Sequence, residues 1–116
     1  MKDLTNLFKA LADGTRLKII GLLLERELCV CEIVEILGMS QPRISRHLRI
    51  LEQAGILYSW REGKWAHYEI GREMPDYCKT LLSGVEEGLC QNKMVKIDLQ
   101  KIKKVKRKTG QSCPGG

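Results

Sequence analysis

Apolar side chains recur every three or four positions through the first half of the chain. Leu4, Leu7, Phe8 and Leu11 predict an amphipathic helix over 3–12. Asp13-Gly14-Thr15 interrupts it, and Asp13 is suited to cap a second helix that carries Leu17, Ile20, Leu23 and Leu24 to about residue 25. A shorter third helix is expected over about 30–37. Its Ile33, Val34 and Leu37 point inward, its Glu32 and Glu35 outward, and Gly38 closes it. Ser40 is placed to cap a fourth helix. That helix tolerates Pro42 in its first turn, where backbone N–H groups lack helical acceptors, and runs to Ala54 before Gly55.

The rhythm then changes. Residues 56–61 and 64–70 are rich in aromatic and β-branched side chains and are joined by Glu62-Gly63, the signature of a two-stranded hairpin. A fifth helix over 76–91 places Leu81, Leu82, Val85 and Leu89 on one side. Residues 93–105 can extend a helix, but Lys106-Arg107-Lys108 and 109–116 have the composition of a disordered tail. The expected order is α-α-α-α-β-β-α, a mainly α body with a β-hairpin wing. It divides into a folded unit over 1–92 and a basic, disordered tail over 93–116.

The 116 residues make one domain, and 43% hydrophobic with 29% charged residues is the balance of a soluble globular chain. No apolar run approaches the roughly 20 residues that span a bilayer, and residues 1–11 lack a signal-peptide pattern. A cytoplasmic protein without a membrane partner is expected. The net charge of +6 is concentrated in the tail, where Lys93, Lys96, Lys101, Lys103, Lys104, Lys106, Arg107 and Lys108 face Asp98 alone. The first 92 residues are slightly acidic, so basic character matters only where it clusters.

It clusters on the fourth helix. Ile44, Leu48 and Leu51 form its buried stripe, while Gln41, Arg43, Ser45, Arg46, His47 and Arg49 supply donors for phosphates and base edges. A short helix and a turn lie immediately upstream, which is how a helix-turn-helix presents its second helix to the major groove of double-stranded DNA. Arg61 and Lys64 flank the hairpin turn and add two cations at its tip. Enzymatic activity is not expected, since the chain has no glycine-rich phosphate loop and no nucleophile–base pairing.

Four motifs in order carry a resemblance: Leu11-Ala12-Asp13-Gly14-Thr15-Arg16-Leu17; Cys29-Val30-Cys31-Glu32-Ile33; Ser40-Gln41-Pro42-Arg43-Ile44-Ser45-Arg46-His47-Leu48; and Gly63-Lys64-Trp65-Ala66-His67-Tyr68. Over residues 4–90 the chain resembles the ArsR/SmtB family of metal-responsive repressors. The resemblance implies a winged helix-turn-helix homodimer joined through its first and last helices. It also implies repression of a resistance operon by operator binding. DNA contacts carry onto Ser40, Gln41, Ser45, Arg46 and His47, with wing contacts near Arg61 and Lys64; Arg43 joins them on its exposed face.

Five cysteines at these spacings point to metal or redox chemistry rather than a secreted disulfide framework. Neighbours at i and i+2 in a helix lie about 200° apart, so Cys29 and Cys31 chelate one ion only if the helix start unwinds. Such a distortion would shift the reading helix. Thiolates favour soft acceptors. Within the family, the absence of cysteine before Cys29 argues against the cadmium and lead sensors, and a fifth helix without histidine argues against the zinc branch. Arsenite, As(III), is the expected inducer, with antimonite, Sb(III), a close second, and no cofactor is expected for DNA binding. Arsenic repressors of this kind often have a third cysteine where this chain has Val34. Solvent hydroxide, Cys78, Cys90 or Cys113 on the tail could complete the set. A cadmium- or lead-responsive repressor and a redox-controlled regulator are the alternatives.

Overall fold

The computed structural model describes residues 2–104. Helix α1 (Lys2–Leu11) buries Leu7, Ala10 and Leu11, and leaves Leu4 and Phe8 on the outside. Asp13 then caps α2 (Gly14–Glu25), its carboxylate accepting the Arg16 N–H at 3.1 Å and satisfying one of the free donors at the helix start. Helix α3 (Val30–Leu37) stops at Gly38, whose φ of 66° is the left-handed conformation that glycine adopts without strain. Pro42 sits in the first turn of α4 (Gln41–Gln53). Ser40 occupies the N-cap position but its side chain makes no capping bond, so it does not act as the sequence suggests.

The wing consists of β2 (Leu57–Glu62) and β3 (Trp65–Ile70), paired antiparallel with Trp60 opposite His67 and Glu62 opposite Trp65. The turn is Gly63-Lys64, one residue later than expected. Gly63 has φ 60° at the first of its two positions, as a II′ hairpin turn requires. A third strand, β1 (Leu28–Cys29), pairs with the free side of β3, giving the sheet order β1-β3-β2 with Leu28 opposite Tyr68 and Cys29 opposite His67. The core lies between α2, α3, α4 and this sheet, around fully buried Ile20, Leu28, Ile33, Ile44, Leu48 and Ile56. The fold is a winged helix-turn-helix.

Helix α5 (Asp76–Cys90) buries Cys78 and Leu82. The helix that residues 93–105 can extend forms as a separate α6 (Lys93–Lys104), and it packs against α2 and α3, so the folded unit continues past residue 92. Val95 and Ile102 are buried and Leu99 is half-buried, while Lys93, Lys96 and Lys101 face outward. This is an amphipathic pattern hidden by a basic composition. Gly21 lets α6 approach, since a Cβ there would meet Val95 Cγ1 at 3.3 Å. The remainder of the tail, with Lys106, Arg107, Lys108 and Cys113, lies outside the described residues. No described helix is long and apolar enough to cross a membrane.

Candidate nucleic-acid interface and cysteine site

Burying Ile44, Leu48 and Leu51 fixes the rotation of α4 and turns Arg43, Arg46 and Arg49 to solvent. Ser40 is exposed beside them and Gln41 is half-buried. Arg61 and Lys64 stand exposed at the wing tip. Glu52, the first carboxylate on α4, accepts a hydrogen bond from the Ser59 hydroxyl, which ties the end of this helix to β2.

Two residues expected at the DNA surface turn inward. Ser45 points its hydroxyl into the protein, where it finds no hydrogen-bond partner among the described residues. His47 is buried, with Nδ1 at 3.2 Å from Arg16 Nη1. The reason is rotational: His47 precedes Leu48 on the core-facing stripe and meets the corner between α1 and α2. Arg16 holds that corner by donating from Nε to the Ala10 carbonyl at 2.7 Å and from Nη2 to the Lys9 carbonyl at 3.2 Å. Asp13 lies at 3.9 Å from its Nη1. Burial lowers the pKa of His47 from the usual 6.5. The Asp13 carboxylate opposes this, and the Arg16, Arg46 and Arg43 charges add to it. The imidazole is therefore neutral at pH 7, and Nδ1 accepts from the guanidinium. His47 positions α4 from behind. Arg16 lay within a family motif, but nothing in its spacing announced this role.

The cysteine pair straddles the start of α3. Cys29 is its N-cap, in extended conformation (φ −84°, ψ 162°), and is fully buried; Cys31 follows inside the first turn and is also buried. Both pack on Trp65 in a small cluster apart from the main core, to which Cys78 belongs. Cys29, Cys78 and Cys90 are free thiols, whereas Cys31 is disulfide-bonded and would take up a metalloid only after reduction. Among the described residues, no group of three or more His, Cys, Asp or Glu side chains is arranged to hold a metal ion.

Glu32, expected outward, is buried. Its Oε1 accepts the Cys29 N–H at 2.9 Å while its own N–H points at the Cys29 sulfur, a capping box with cysteine in the role usually held by serine. Arg26 Nη2 donates to its Oε2 at 3.3 Å, which balances the buried charge. The spacing Cys-x-x-Glu was the available signal. Burial raises the pKa of the Cys29 thiol and the Glu32 carboxylate adds to the rise, while the Glu32 and Cys31 N–H groups pull the other way. In this conformation the nucleophilic thiolate is scarce. Glu32→Gln keeps an acceptor for the Cys29 N–H but removes the negative charge. Iodoacetamide labelling of Cys29 at pH 7.5, followed by peptide mapping, should accelerate several-fold, since one pKa unit is about a tenfold change in thiolate. An unchanged rate would mean that burial alone controls the thiol.

Residues 13–59 match the family described as bacterial regulatory protein, arsR family. The arsenic resistance transcriptional regulator ArsR1 of Pseudomonas putida is 48% identical over 79 residues, which are 67% of this chain and 62% of that protein; the match thus spans less than two thirds of that relative's length. The arsenical resistance operon repressor of Escherichia coli is 38% identical over 110 residues, covering 94% of this chain and 87% of that protein. A solved homodimeric winged helix-turn-helix DNA-binding domain from Mycobacterium bovis superposes with a TM-score of 0.66 at 29% identity, covering 78% of this chain and 81% of that one.

Proposed function

The chain belongs to the ArsR family of bacterial regulatory proteins, and from that premise we propose that it is a homodimeric repressor of an arsenic-resistance operon, released from its operator when arsenite is captured by Cys29 and Cys31. It acts on double-stranded DNA in the cytoplasm. Arg43, Arg46 and Arg49 on α4, with Ser40 and Gln41 at its start, face the major groove, and Arg61 and Lys64 at the wing tip take phosphates. Ser45 and His47 serve behind the helix. The Escherichia coli relative, matched over most of both chains, supports arsenite over other thiophilic ions. Antimonite shares the chemistry.

The observation that carries this reading is the position of the cysteine pair: it closes the start of α3, and the other end of α3 leads through Gly38 into α4. In capture, each thiol gives its proton to a departing arsenite hydroxyl, so two As–S bonds form as two waters leave. The third arsenic position keeps a hydroxyl or takes a further thiol, for which Cys113 is the candidate. Cys29 caps α3 from an extended backbone and Cys31 sits in its first turn, both against Trp65; one arsenic bonded to both sulfurs pulls on the capping box and distorts it. That distortion is the differential binding by which a ligand shifts a two-state equilibrium.

The test is operator-fragment anisotropy with reduced protein, comparing wild type with Cys29→Ser/Cys31→Ser, each against its own arsenite-free affinity. Arsenite should lower wild-type affinity by about 10- to 100-fold, the usual span of allosteric coupling, and leave the double variant unmoved. Equal release in both would remove the pair from the sensor. Release by cadmium alone would change the inducer and keep the repressor. A second reading is favoured by the disulfide at Cys31, namely redox control. Release by peroxide with indifference to arsenite would select it.

A further inference from the structure

We propose that Trp65 carries the capture of a thiophilic ligand from the cysteine pair to the DNA-binding wing, so that the wing is a second output of the sensor beside the reading helix. The inference rests on the proposed sensing role of Cys29 and Cys31 and names a route for it. Trp65 is buried, and among the described residues its small cluster consists of those two cysteines and itself. It is also the first residue of β3, joined by a peptide bond to Lys64 in the turn and paired across the hairpin with Glu62. One indole thus touches the sensor on one side and is bonded to the wing's terminal cation on the other.

The sheet adds a second tie at the same place. Cys29 ends β1 and lies opposite His67 on β3. Opposed residues in antiparallel strands project from the same face, so Cys29, His67 and Trp60 form a row across all three strands. His67 is buried and stacks on Trp60 with ring centroids 5.3 Å apart and planes at 15°, and Trp60 in turn stacks on Tyr58. At the tip, Trp60 Nε1 donates to Glu62 Oε1 at 3.4 Å. The wing is held as a stiff ribbon whose base is β1 and the cysteine cluster.

One arsenic atom bonded to both sulfurs draws them to within two bond lengths of each other. Cys29, which caps α3 from an extended backbone, and Cys31, in the first helical turn, both pack on Trp65, so closing a bridge between their sulfurs alters the surface on which the indole rests. The indole follows its support or loses it, and either movement re-aims Lys64 and Arg61. A large aromatic side chain suits this task because its contact area is rigid and its alternatives are few. The movement needs no path through α4, so the two outputs are separable.

The experiment uses the reduced full-length chain with arsenite as the probe. Coupling is the ratio of operator affinities without and with saturating arsenite, each protein serving as its own reference, and arsenite uptake is counted separately by loss of titratable thiols. Trp65→Leu should take up arsenite like the wild type yet show coupling reduced about tenfold, within the range by which residues between two sites modulate allostery. Trp65→Phe should restore most of it. A third protein, Trp60→Phe, leaves Trp65 as the sole indole, and its emission should shift on arsenite addition even if the leucine variant folds poorly. Normal uptake with undiminished coupling in Trp65→Leu, or an emission that ignores bound arsenite, would overturn the proposal while leaving the cysteine sensor standing. Absence of arsenite uptake or release in the wild type would overturn the sensor reading, and this inference with it.

Discussion

Arg16→Ala is expected to destabilise the folded chain by about 2–3 kcal/mol, because it strips charge-assisted donors from partly buried acceptors. The guanidinium holds the Ala10 and Lys9 carbonyls at the end of α1 and Nδ1 of His47 on α4. Its pairing with Asp13 at 3.9 Å adds little, as an exposed ion pair does. Urea denaturation would measure the loss, and operator affinity should fall under conditions where the variant is still folded, because α4 loses its rear support. Arg16→Lys should recover only part, since a single ammonium cannot serve three acceptors in different directions. A loss below about 0.5 kcal/mol, the level of an ordinary surface substitution, would show the corner to be held by packing alone.

The same corner predicts an acid sensitivity. The folded-state pKa of His47 is depressed, mainly by burial, so the unfolded chain binds the proton more readily. Stability from this residue is complete above the unfolded value of 6.5 and is lost as pH falls through the lower folded value. Protonation would also set an imidazolium against Arg16. His47→Asn should flatten the stability profile in that window.

Joint replacement of Arg43, Arg46 and Arg49 by alanine is expected to weaken operator binding by about 1,000-fold or more, taking roughly 1–3 kcal/mol for each contact. All three are exposed on α4, so the melting temperature should hardly move. The salt dependence separates their roles. Each lost phosphate contact should reduce the slope of log K against log salt by about 0.9 in every half-site. An arginine that reads a base should instead relax sequence preference at constant slope. If the triple variant kept wild-type affinity, α4 would not be the reading helix.

Much of this architecture was legible because the periodicities are strong. Ile44, Leu48 and Leu51 fix one face of α4, and the aromatic and β-branched residues of 56–70 leave little choice but a hairpin. What escaped notice has physical reasons. A two-residue strand has no period, and β1 exists only because β3 offers it an edge. The charge of Glu32 predicts an outward side chain, yet a carboxylate that caps a helix and meets Arg26 can be buried. The sequence groups His47 with exposed donors on α4, and only the position of Arg16, far away in sequence, shows that it faces inward. A helix over 93–105 is readable from the sequence, but lysines outnumber the three apolar positions that anchor α6, so its packing on α2 and α3 is not.

The complete burial of Cys29 also bears on time. A sulfur with no solvent contact is reached only when the start of α3 opens, and local openings have their own frequency, independent of what waits outside. If Cys29 captures arsenite as proposed, the response at low arsenite follows concentration. At high arsenite it can be no faster than the protein opens, and further toxin leaves the delay unchanged. The capping box of Cys29 and Glu32 thereby acts as a clock as well as a brace.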